Sequence, residues 1–380
     1  MRRLRSTVTS CVGYNAGMGE EGRPNAGSEH WVREVDPRRP GLSTFQSLFE
    51  KNYPKVRSIL STMTSPGMVV VAMDAGSMSI EGTLCVTAYK EKANSAVVGR
   101  HSSSDLFLFD SELSLRHLLL VVEPYVPDEQ LRFRCVDLAS RTGVYDELQR
   151  QVCSISANGA ILLSCGRFVL FFLPNSMKDK WPDSAKTAWS AIPDRVFTKN
   201  SFRLNTDTHN ATYLYERDGT VSENPSENTL VSLSGAALRS TGKWLGEGEK
   251  ALGELVVVSE KKRQSFSVGG VGLDRGLLIG RSEDNDAEDE KILTDKSVSR
   301  VHAVVLSLKG DVYVVDSSSS NGTFVRKENG APRVRRESGA PPPKMVDQGA
   351  WDEVRTVLLR DGVEVYLGDG ATTLTWNSAD

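Results

Sequence analysis

Histidine is scarce in this 380-residue sequence: only His30, His101, His117, His209 and His302 occur. A Gly-x-Ser-x-Gly elbow, a Walker loop, a His-Glu-x-x-His pair and a kinase signature set are all missing. Without a nucleophile, base or phosphate loop in a recognisable setting, the chain is read as non-enzymatic, with no cofactor and no metal centre. Charge of one sign is lacking too. A formal net charge of -3 gives no basic field to draw the protein onto nucleic acid or an anionic membrane, so any anion recognition has to be local.

Long apolar runs are absent as well, since none approaches the roughly 20 residues that a spanning helix needs. Val8-Thr9-Ser10-Cys11 has the form of a lipoprotein cleavage box, but no apolar stretch separates it from the charges of Met1-Arg2-Arg3-Leu4-Arg5. The match is therefore taken as chance, membrane insertion is not expected, and a cytoplasmic location is. The five cysteines (Cys11, Cys85, Cys135, Cys153, Cys165) are odd in number, show no metal-ligand spacing, and with one exception lie in apolar stretches. They read as buried thiols in a reducing compartment.

What is present is the composition of an ordinary globular protein, 39% apolar and 25% charged. At roughly 100 to 200 residues per domain, this length predicts two or three folded units. Residues 1–42 carry Gly, Arg, Glu, Asn and Pro without an apolar period and are expected to be a disordered tail. Over 43–64, Phe45, Leu48, Phe49, Val56, Ile59, Leu60 and Met63 recur at helical intervals, with a break or kink expected near Pro54.

From residue 65 the pattern changes to short runs of Val, Leu, Phe and Tyr between Gly, Asp and Ser clusters. The runs are Thr83–Tyr89, Ala96–Val98, Leu118–Val122, Leu131–Leu138, Ala160–Leu163 and Phe168–Leu173. A second series follows at Leu255–Val258, Leu277–Ile279, Ala303–Leu308, Val312–Val315, Val357–Leu359, Val363–Leu367 and Thr372–Trp376. The expected fold class is all-β, with antiparallel β-sandwiches over 65–176 and 249–380. The linker 177–248 is polar and irregular, with Val196–Leu204 and Ala211–Tyr215 as a candidate hairpin, and an exposed insertion is expected near 326–348 around Pro341-Pro342-Pro343.

Three motifs fall in order in the second series: Gly280-Arg281 at a strand end, Ser299-Arg300-Val301-His302 before the next strand, and Asp316 to Thr323 across a turn containing Ser320-Asn321-Gly322. The residue types suit a phosphorylated ligand, which brings about -1.5 to -2 charges and three acceptor oxygens. Arg281 offers a planar guanidinium fork, Ser299 a hydroxyl beside a backbone N–H, and Asn321 an amide that both donates and accepts. Gly322 permits the positive φ that such a turn commonly needs. The acidic run Glu283 to Glu290 reads as a solvated loop.

Together these motifs resemble the Gly-Arg, Ser-x-x-His and Asn-Gly-Thr pattern of the forkhead-associated (FHA) family. The resemblance implies a phosphothreonine-peptide reader in which Arg281 and Ser299 hold the phosphate with help from Arg300. It places Asn321 on the peptide main chain, Ser320 at a further polar contact, and Gly280, His302 and Gly322 as structural support. Implied partners are phosphothreonine-containing proteins, among them Ser/Thr kinases or their substrates. A phosphate-independent assembly scaffold, for example in a secretion-related complex, is the competing reading.

A repeat is also visible. Val97-Val98-Gly99-Arg100 matches Leu278 to Arg281, Ser114-Leu115-Arg116-His117 matches Ser299 to His302, and Asp137 to Gly143 matches Asp316 to Gly322. The chain is thus read as a tandem with a diverged N-terminal copy, whose second candidate site is Arg100, Ser114, Arg141 and Thr142. Thr142 stands where the C-terminal copy has Asn321, and Val144 where it has Thr323. Whether that first copy binds phosphate or is only structural is left open by the sequence.

Overall fold

The apolar stripe at the start of the second region forms helix α1, Leu42–Thr62, which runs without interruption through Pro54. The expected break is absent because packing holds both sides of the proline: Phe45, Leu48, Phe49, Tyr53, Val56 and Leu60 are all buried in one cluster. The Tyr53 hydroxyl also donates to Pro182 O at 2.5 Å. These details come from a computed structural model that describes residues 40–127, 129–147, 149, 151–175, 181–190, 192, 210–215, 229–234, 244–245, 248–259, 262–281, 293, 295–326 and 351–379. Residues 1–39 of the expected tail, the whole acidic run Glu283 to Glu290, Val196–Leu204 and nearly all of the 326–348 insertion lie outside the described residues.

The chain is mostly β-sheet. The N-terminal strands are β1 (Gly67–Asp74), β2 (Ser79–Thr87), β3 (Asn94–Gly99), β4 (Leu106–Phe107), β5 (Leu118–Val122), β6 (Phe133–Asp137), β7 (Ser154–Ala157), β8 (Ile161–Cys165) and β9 (Phe168–Asn175). Helix α2 (Ala185–Ser190) and strands β10 (Asn210–Tyr215) and β11 (Thr229–Ser234) follow. The C-terminal elements are β12 (Gly253–Val258), β13 (Arg263–Val268), α3 (Gly270–Arg275), β14 (Leu277–Ile279), β15 (Ala303–Leu308), β16 (Asp311–Asp316), β17 (Thr323–Arg326), β18 (Trp351–Glu353), β19 (Thr356–Leu358), β20 (Glu364–Leu367) and β21 (Thr372–Ser378).

These strands make two pairs of sheets, ordered β2-β1-β9-β8 with β10-β11-β7-β6-β5-β3-β4, and β13-β12-β21-β20-β17-β18 with β14-β15-β16-β19. Each pair encloses a core of its own, one joining Val70, Leu120 and Phe172, the other Leu255, Val305 and Leu367. One expectation is corrected here. The β3–β4 contact is parallel, so the N-terminal pair is not wholly antiparallel. Within the linker, among the described residues, Asn210–Tyr215 pairs with Thr229–Ser234, and β11 then joins β7.

Strand β1 is buried along its whole length because both faces are covered. Met68, Val70 and Ala72 enter the sheet-pair core, while Val69, Val71 and Met73 pack beneath α1. The same two-sided burial recurs at β5 and β15. Leu119 and Val121 turn away from one core, Val304 and Leu306 from the other, and they meet in a shared cluster. The motif alignment makes Val97, Leu119, Val121 and Val136 counterparts of Leu278, Val304, Leu306 and Val315, and all eight lie in that cluster. The seam is therefore nearly isologous, as between subunits related by a two-fold axis.

Polar ties frame the seam. Arg134 Nη1 donates to Leu273 O at 2.9 Å and Asp274 O at 3.0 Å, Arg355 pairs with Asp105 at 2.7 Å, and Thr356 Oγ1 donates to Ala93 O at 2.9 Å. Among the cysteines, Cys135, Cys153 and Cys165 are buried as expected, whereas Cys85 is exposed on β2, because its side chain alternates away from the core.

Candidate functional site

Arg281 follows β14, Ser299 precedes β15, and Ser320 and Asn321 lie in the turn from β16 to β17, so the three C-terminal motifs meet at one end of the sheets. Antiparallel pairing places them there. Ile279 lies opposite Ala303, and Ala303 opposite Asp316. Gly280 is buried at the end of β14, and the Arg281 N–H donates to Ser299 O at 3.2 Å.

His302 is fully buried among these loops. The Ser299 N–H donates to its Nδ1 at 3.0 Å, and its Nε2 lies 2.9 Å from Gly322 O. A backbone N–H only donates and a carbonyl only accepts, so the ring is the neutral tautomer with its proton on Nε2. Burial pushes its pKa below the ordinary 6.5 and outweighs the opposing pull of Asp316. Asp316 in turn organises the third loop. Its carboxylate accepts from Ser319 N–H and Oγ, each at 2.7 Å, and from Thr323 Oγ1 at 2.6 Å.

Polar groups remain on the outside of this frame. The Ser299 hydroxyl accepts the Ser320 N–H at 3.0 Å, which leaves its own proton to donate outward. Arg281 Nε donates to Val298 O at 2.9 Å and fixes the side chain, while its terminal nitrogens meet no partner among the described residues. Arg281, Arg300, Ser320 and Asn321 are all exposed. Asn321 Nδ2 donates to Ser297 O at 2.7 Å, so the amide is anchored with its carbonyl still to offer. Gly322 has φ +78, and a Cβ there would lie 2.9 Å from the Phe324 ring. The arrangement presents fixed donors and cations to an anion without requiring a buried unpaired charge.

The N-terminal loops repeat much of the frame, apart from the hydroxyl bonds to Asp316: Ser140 N–H reaches Asp137 at 2.9 Å, but Val144 replaces Thr323. Arg100 Nε donates to Leu113 O at 2.6 Å, Ser114 N–H to His117 Nδ1 at 3.2 Å, and His117 Nε2 lies 3.1 Å from Gly143 O. Arg141 N–H donates to the Ser114 hydroxyl at 2.9 Å. Even Thr142 takes the place of Asn321, its hydroxyl donating to Glu112 O at 3.1 Å. What Thr142 lacks is the amide carbonyl beyond that bond. Burial depresses the His117 pKa as it does that of His302.

Sequence reasoning missed one residue at the C-terminal site. Arg116, from the N-terminal pair, donates through Nη2 to the Ser320 hydroxyl at 3.3 Å. Its position within the repeat was legible, but the contact depends on the seam and spans 204 residues of chain.

Residues 277–340 match the family model of the FHA domain, which covers strands β14 to β17 and the three motifs. Among solved structures, the FHA-1 domain of Rv1747 from Mycobacterium tuberculosis is 22% identical, covering 29% of this chain and 98% of that one with a TM-score of 0.22. The FHA domain of CT664 from Chlamydia trachomatis is 16% identical, covering 28% and 96% with a TM-score of 0.23. Mycobacterium tuberculosis EmbR, in complex with a low affinity phosphopeptide, is 21% identical, covering 38% and 30% with a TM-score of 0.22. No curated protein matches the chain. No described helix is long and apolar enough to cross a membrane.

Proposed function

We propose that the C-terminal sheet pair reads phosphothreonine peptides and that the protein is a non-enzymatic cytoplasmic adaptor for phosphorylated partners in Ser/Thr kinase signalling. Arg281 and Ser299 bind the phosphate, Arg300 and Ser320 add polar contacts, and Asn321 holds the peptide main chain. The observation that carries this reading is the ring of outward donors from three loops, locked by neutral His302, inside the segment that matches the FHA model. The likeness of the N-terminal loops supports a tandem of FHA-type sandwiches, with Arg100, Ser114 and Arg141 as a second phosphate site that grips peptide backbone less well for want of the Asn321 amide.

Fluorescence anisotropy with a labelled degenerate phosphothreonine peptide pool tests the reading, with phosphoserine and unphosphorylated pools as controls. Losing a charge-assisted contact worth about 1.5–3 kcal/mol, Arg281→Ala is expected to weaken phosphothreonine binding about tenfold to a hundredfold. Folded protein that ignores every phosphorylated pool, or that binds equally with Arg281→Ala, would instead favour a phosphate-independent scaffold.

A further inference from the structure

Like Arg134, Arg116 reaches from the N-terminal pair across the seam, but it does so toward the candidate site. It occupies the third position of the Ser114–His117 motif, where the C-terminal copy has Val301. The near-isologous seam brings that position of one sheet pair toward the turn of the other. Val301 packs against the seam cluster, whereas Arg116 reaches the phosphate-facing turn and hydrogen-bonds Ser320. Ser320 itself donates to the Ser299 hydroxyl, so Arg116 stands two hydrogen bonds from it.

The side chain is also incompletely used. Its Nε is buried and has no hydrogen-bond partner among the described residues. Burial lowers its pKa, Asp316 offsets this, and the like charge of Arg300 adds to the lowering. Asp316 accepts from Ser319 and Thr323 rather than forming an ion pair with this arginine. Arg116 and Arg300 thus bring two like charges toward one rim, where an arriving phosphate would meet both.

We propose that the C-terminal site is composite, with Arg116 of the N-terminal sheet pair contacting the bound phosphothreonine peptide beside Ser320. This rests on the phosphopeptide reading above. It makes the two sites unequal, because Val301 offers the N-terminal loops no matching cation, and the N-terminal copy then serves its neighbour whether or not it binds a ligand itself.

The test uses the full chain and the same phosphothreonine pool, comparing Arg116→Met, Arg116→Lys, Arg281→Ala and, as a seam control, Lys309→Ala, whose side chain bonds Glu129 at 2.8 Å from the β15–β16 turn, at the end of the sheet opposite the three motifs. Expected is a loss of about tenfold in Arg116→Met, with a weaker dependence on ionic strength, a partial loss in Arg116→Lys, and no change in Lys309→Ala. Should Arg116→Met fail to fold, the lysine variant carries the test, since it keeps the charge and gives up the planar fork. Loss of binding in Arg281→Ala with unchanged affinity in the Arg116 variants would overturn the composite site and leave the phosphopeptide reading intact. Unchanged binding in Arg281→Ala would overturn both.

Discussion

His117 and His302 do the same work in the two halves of the chain: each takes a serine N–H on Nδ1 and lies against a glycine carbonyl through Nε2. Protonating Nδ1 would set a donor against a donor, and burial already disfavours the charge, so both pKa values fall below 6.5. In the unfolded chain these rings protonate near 6.5, while in the folded chain they resist. The unfolded state thus binds more protons as the pH falls, and the contribution to stability, complete above 6.5, is lost as pH falls through the folded values. Urea midpoints are expected to drop between about pH 7.5 and about pH 5. In His117→Asn/His302→Asn that slope should flatten, and an equal slope in the variant would show that other groups dominate the titration. Stability is the cleaner readout here, because the phosphate of a ligand has its own pKa near about 6.

At the scale of single elements, α1 is a clamp on the outer face of β1 and β9. Phe49 is fully buried there, with ring centroids 5.2 Å from Tyr53, 5.7 Å from Phe171 and 5.6 Å from Trp189. Phe49→Ala is expected to destabilise the protein by about 3–5 kcal/mol in chemical denaturation, through lost burial and the cavity left behind. A change within about 0.5 kcal/mol, the usual range for surface substitutions, would mean that the helix does not pack as described. The apolar period that revealed this helix is local, and so are the runs that marked β5, β14 and β15 to the residue. Strand β1 was passed over although its apolar run Met68–Met73 is as continuous as those of β5 and β15, which were found. Strands β7 (Ser-Ile-Ser-Ala) and β13 (Arg-Gln-Ser-Phe-Ser-Val) escaped the pattern because they are too polar to stand out from loops. Motifs within one sheet pair were legible for the same local reason. Arg116 was not, since its meaning at the C-terminal site comes from a partner surface that no short window contains.

For the whole molecule, the seam decides whether two sheet pairs act separately or as one body. Six buried side chains from each pair meet there, framed by polar ties such as Arg134 to Leu273 O, Arg355 to Asp105 and Thr356 to Ala93 O. Leu306 is fully buried in this cluster and points away from its own sheet-pair core. A carboxylate introduced there escapes desolvation if the pairs part, so Leu306→Asp should open the seam and leave both cores standing. Calorimetry is then expected to resolve two transitions, with strand content by circular dichroism retained. If Arg116 reaches the ligand across this seam, Leu306→Asp also weakens phosphothreonine binding by about the tenfold expected of Arg116→Met, and the double variant loses little more than either alone. Additive losses would mean that Leu306→Asp damages the site by a route independent of Arg116. Intact affinity in a protein with an opened seam would mean that the C-terminal pair carries its binding site alone.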